Sequence, residues 1–65
     1  MLHINLAKWR KARGLTQDQL AAVSGVARIT IARIEANSTN PTIKTLERLA
    51  NALKVPVLEL MQKGA

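Results

Sequence analysis

The sequence predicts an all-α domain of five short helices. Three observations carry this. Apolar residues recur at helical spacing, as in Leu46, Leu49, Ala50 and Leu53. Strand signals are weak: Phe and Tyr are absent, and β-branched residues do not alternate with polar ones over any useful length. Turn and capping residues divide the chain into five pieces.

The first piece covers roughly residues 2–13. Leu2, Leu6 and Trp9 share one helical face, and Gly14 supplies the stop. The second piece begins at Thr16, where "TQDQ" reads as a capping box. The Thr16 hydroxyl accepts from the Gln19 amide while the Gln19 side chain reaches back. Asp18 complements the helix dipole, Leu20 and Ala21 face the core, and Gly25 ends the piece. The third piece spans about 27–36 and is followed by the polar loop "ANSTNPT". Thr42 caps the fourth helix, which carries the Leu46 stripe. Pro56 takes the first position of a short fifth helix, with Val57 and Leu60 closing the core.

A chain of 65 residues is read as one domain, 1–65. It has no cysteine, so no disulfide supports the small core, which fits a reducing compartment. No run approaches ~20 apolar residues, so no membrane span is expected. Lys8, Arg10, Lys11 and Arg13 interrupt any signal-peptide pattern. The expected location is cytoplasmic, at the nucleoid. The net charge is +6 and uneven: residues 1–33 carry six Lys/Arg against Asp18 alone. Such a half suggests a polyanion, most often nucleic acid, although solvated surface charge explains the balance equally well by itself. His3 is the only histidine, so no metal site or cofactor is expected. No pair of acids shares a face for acid–base work, so the chain does not read as an enzyme.

The third piece carries the functional signal. At about 100° per residue, Ala27, Ile31 and Ile34 form a stripe expected to be buried. Arg28, Ile29, Ala32 and Arg33 fall on or near the opposite side, with no acid among them. A capped helix, a glycine turn and a second helix exposing arginines make a helix-turn-helix, whose second helix lies in the major groove of DNA. Ala21 is small enough for a close helix crossing, and Gly25 can take positive φ in the turn. Arginine pairs bidentately with guanine, and an apolar side chain packs on a thymine methyl. Ile29 beside two arginines is therefore sensible on a face that reads bases.

The stretch "GLTQDQLAAVSGVARITIARIE", followed by "NPTIKTLERLANALKVPVLEL", resembles the phage-repressor and Cro type of helix-turn-helix domain, the XRE-like family. The resemblance covers nearly the whole chain. It implies a compact five-helix, lambda-repressor-like domain with helices 2 and 3 forming the motif. It also implies a homodimer on a two-fold operator in double-stranded DNA, usually as a repressor. Carried over by position, Gln17 grips a phosphate, with Thr16 and the free amides of that helix start beside it. Arg28, Ile29 and Arg33 read base edges, and Thr30 and Ala32 support them. Arg10 and Glu35 match a partly buried ion pair between helices 1 and 3. Two positions depart from the family. Ala27 stands where a capping Ser or Thr is usual, and Ala36-Asn37 replaces a segment that often ends in Gly.

Other residues admit plainer readings. Trp9 is expected as the largest core residue rather than a base-stacking platform. Lys44, Arg48, Lys54 and Lys63 read as solubilising, with Lys44 placed to reach a phosphate. Leu58 and Met61 remain once Val57 and Leu60 point inward, and with Ile43 they form an expected dimer interface, weak in solution and strengthened on DNA. Two alternatives share the fold: an antitoxin with a toxin partner on the Leu58/Met61 surface, and a protein-interaction module without DNA binding.

Overall fold

Each of the five helices sends at least one fully buried apolar side chain into a common core. The structure, a computed structural model, describes residues 4–61. The helices are α1 (Leu6–Ala12), α2 (Gln17–Ser24), α3 (Arg28–Glu35), α4 (Ile43–Leu53) and α5 (Val57–Met61), and no strand occurs among the described residues. Leu6 of α1, Leu20 of α2, Ile31 and Ile34 of α3, Leu46, Leu49 and Leu53 of α4, and Leu60 of α5 are buried. Each such side chain is worth roughly 1.5–3 kcal/mol of transfer free energy. Asn5 N–H donates to the Leu60 carbonyl at 2.8 Å, so the start of α1 is tied to α5.

The helix ends follow local chemistry. Thr16 and Gln19 form the reciprocal capping box, at 3.0 Å and 2.8 Å. Thr42 Oγ1 accepts from the Thr45 amide at 3.2 Å at the start of α4. At the end of α1, Gly14 takes φ 70°, and the Gly14 and Leu15 amides bond back to Lys11 and Arg10. That pairing is the Schellman closure. Asn37 closes α3 the same way at φ 56°, with the Ser38 amide and hydroxyl both donating to the Arg33 carbonyl. Lys54 closes α4 at φ 59°, a left-handed conformation unusual for a residue with a Cβ.

Four expectations from sequence are corrected. The first helix is shorter than 2–13 because α1 starts at Leu6, and Leu2 lies outside the described residues. Ala27 is exposed, not part of the buried stripe. Its backbone is extended, with ψ 140°, so it precedes α3 and the helical wheel does not place its Cβ. Trp9 is half-buried at the edge of the core, not its largest buried member. Lys8 and Arg13 lie over its ring, at 5.7 Å and 5.6 Å from the centroid. Arg13 Nε also donates to the Leu53 carbonyl at 2.8 Å, fastening α1 to the end of α4. Pro56 lies just before α5 rather than at its first position.

Candidate nucleic-acid interface

The helix pair α2–α3 is set by the turn between its members. Gly25 takes φ 74°, and its amide bonds back to Ala21. Ser24 Oγ accepts from the Val26 amide at 3.1 Å, and Val26 is buried beneath the turn. Ala21 is half-buried against the core, where its size permits close approach.

Glu35, at the C-terminal end of α3, joins three helices. Arg10 Nε of α1 donates to Glu35 Oε2 at 2.7 Å, and Arg10 Nη2 donates to Oε1 at 3.1 Å. Arg10 Nη1 donates to the Leu15 carbonyl at 2.8 Å. Gln17 Nε2, at the first position of α2, donates to the same Glu35 Oε1 at 3.0 Å. The Arg10 and Glu35 side chains are only 12% and 10% exposed. Burial pushes the Glu35 carboxyl up, but the bonds from Arg10 and Gln17, with the charges of Arg10 and Lys11, outweigh it. The net effect holds Glu35 below its ordinary value. The same bond to Glu35 raises the Arg10 guanidinium against the opposing effect of burial.

With its C-terminal end fixed, α3 presents an outward arc. Ile31 and Ile34 are buried, while Arg28, Ile29 and Arg33 are exposed and Thr30 and Ala32 are half-buried. Ile29 is 56% exposed, a large apolar side chain in water between two cations. Arg28 is not free: its Nε lies 3.0 Å from Asp18 Oδ1 of α2, across the outer side of the helix pair. Sequence reasoning assigned Asp18 only to the helix dipole. The two residues are ten positions apart on different helices, so no local pattern connects them. Thr16 is occupied by its capping bonds, and Lys44 is exposed in the first turn of α4.

The expected dimer residues divide. Ile43 and Leu58 are exposed, at 61% and 65%, but Met61 is half-buried against the core rather than left over at the surface. Val23 on α2 is a further exposed apolar side chain that sequence reasoning did not single out. Among the described residues no cluster of His, Cys, Asp and Glu could hold a metal, and His3 lies outside them. No described helix is long and apolar enough to cross a membrane.

A family model described as helix-turn-helix matches residues 6–60. An uncharacterized HTH-type transcriptional regulator of Sinorhizobium fredii is 40% identical over 57 residues, covering 88% of this chain and 74% of that protein. The HTH-type transcriptional repressor RghR of Bacillus subtilis is 46% identical over 56 residues, which cover 85% of this chain but 42% of the repressor. The N-terminal DNA-binding domain of SinR from Bacillus subtilis superposes with a TM-score of 0.84 at 34% identity, covering 89% of this chain and 86% of that one.

Proposed function

The chain belongs to the helix-turn-helix family of DNA-binding transcriptional regulators, and from that premise we propose that it is a repressor acting as a homodimer on a two-fold operator. The observation that carries this reading is the outward arc of α3, where Arg28, Ile29 and Arg33 stand exposed together on a helix whose opposite side is core. In this reading the three side chains meet base edges in the major groove, with Thr30 and Ala32 beside them. Gln17 Nε2 carries two hydrogens. One goes to Glu35, and the other is available to a phosphate oxygen. The amides at the start of α2, next to Thr16, supply the positive end of a helix dipole, and Lys44 adds charge.

Exposed Ile43 and Leu58 are the residues proposed to pair two copies, placing the two reading helices about 34 Å apart along DNA. Two side chains bury little apolar area, so in this reading the dimer forms weakly in solution and more firmly on the operator.

Selection of bound sequences from a random DNA pool tests the reading. A two-fold symmetric consensus is expected, with two chains per site by sedimentation. No enrichment over random DNA would favour a protein-interaction role. A small protein that co-purifies with the chain, and is lost on Leu58→Asp, would make it an antitoxin.

A further inference from the structure

We infer that Asp18 is a specificity-determining positioning residue: it holds the Arg28 guanidinium beside α2 and so sets where that group meets DNA. This rests on the reading of α3 as the base-reading helix.

Arg28 is the first residue of α3, and the preceding Ala27 makes no side-chain cap. A cation at that end opposes the helix dipole, so its side chain has no favourable resting place on its own helix. Asp18 supplies one from α2, with Oδ1 3.0 Å from Arg28 Nε. The ion pair draws the guanidinium toward α2 and narrows the positions from which its donors meet guanine O6 and N7.

Asp18 complements the α2 dipole from its first turn, yet its charge stands against DNA. It is the only acid in residues 1–33, beside a face read as meeting phosphates, and a lone carboxylate there repels DNA. Paired with Arg28, its charge is offset. In the free protein the pair contributes little to stability, because the Arg28 and Asp18 side chains are 59% and 80% exposed. On DNA, water leaves the interface and the same pair is held more strongly.

The test uses the full chain and random-pool selection with wild type, Asp18→Asn, Asp18→Glu, Arg28→Ala and Arg33→Ala, with thermal melts as a fold control. The inference expects Asp18→Asn to reduce base preference about three- to tenfold at the position that Arg28→Ala flattens. The position flattened by Arg33→Ala stays intact, and Asp18→Glu restores part of the loss. An Asp18→Asn chain that binds every sequence more tightly, with preference unchanged, overturns the inference: Asp18 is then only a repulsive charge, and the base-reading assignment survives. An Arg28→Ala chain with undiminished preference at every position overturns the Arg28 assignment, and the inference falls with it.

Discussion

Arg10 and Glu35 are joined by two hydrogen bonds, Nε to Oε2 at 2.7 Å and Nη2 to Oε1 at 3.1 Å, across the α1–α3 contact. The fork geometry fixes the relative rotation of the two helices as well as their separation. Removing one partner leaves the other charge nearly buried. Glu35→Ala is therefore expected to destabilise the chain by about 2–3 kcal/mol, somewhat below the ~3–5 kcal/mol of a fully buried pair. Replacing both, as Arg10→Met with Glu35→Leu, recovers most of that stability, because the desolvation cost disappears with the charges. Urea denaturation of the wild type and the two variants checks this. A double variant no more stable than Glu35→Ala alone contradicts it.

The same carboxyl makes stability depend on pH. Glu35 ionises more readily in the folded chain than its ordinary value, because the bonds from Arg10 and Gln17 outweigh the opposing effect of burial. Below about pH 4.3, the unfolded carboxyl binds a proton that the folded one resists. The stabilisation is thus fully present above that pH and is lost as pH falls through the lower folded value. Melting temperature between pH 7 and pH 3 should fall more steeply for the wild type than for Glu35→Gln. Parallel curves would show that the acid sensitivity arises elsewhere.

Lys54 offers a gain in stability. It closes α4 at φ 59°, where a Cβ meets the following carbonyl. Its left-handed position lets the Val55 amide reach the Ala50 carbonyl at 3.0 Å. Lys54→Gly keeps that closure without the steric cost. The expected gain is about 0.5–1 kcal/mol after the extra chain entropy of glycine, or a few degrees in melting temperature. An unchanged or lower melting temperature indicates that the lysine side chain makes a compensating contribution.

Local rules made most of the fold legible, and tertiary geometry hid the remainder. The stripe Leu46, Leu49, Ala50 and Leu53 is buried as its spacing demands, and Thr16 and Thr42 cap as their sequence contexts demand. Ala27 was misplaced because a helical wheel has no meaning for an extended residue. The spacing of Trp9 from Leu6 points to the core, yet the ring packs at the core's edge, where Lys8 and Arg13 cover it. The bond from Arg13 to the Leu53 carbonyl spans forty residues, and the Asp18–Arg28 pair spans two helices. Neither has a periodic signature. The exposed arc of α3 was legible because it carries arginines and an isoleucine where a solvated helix would carry mixed charges.

Gln17 and Arg33 should separate affinity from specificity. Arg33 is exposed on the outward arc and is proposed to meet a base, so Arg33→Ala is expected to cost ~1–3 kcal/mol on the selected operator and to relax preference at one position per half-site. Gln17 is proposed to meet a phosphate, which carries no sequence information. Gln17→Ala should weaken binding to operator and random DNA by a similar factor. Gln17 also donates to Glu35 at 3.0 Å, so part of any loss could come through a loosened α3. Melting temperature separates the two effects: a loss of binding in Gln17→Ala with an unchanged melting temperature arises at the phosphate, and a loss that tracks a lowered melting temperature arises through α3. Titration of each variant on operator and scrambled DNA at fixed salt reads out both quantities. A shifted consensus for Gln17→Ala, or a uniform loss for Arg33→Ala, reverses the two assignments.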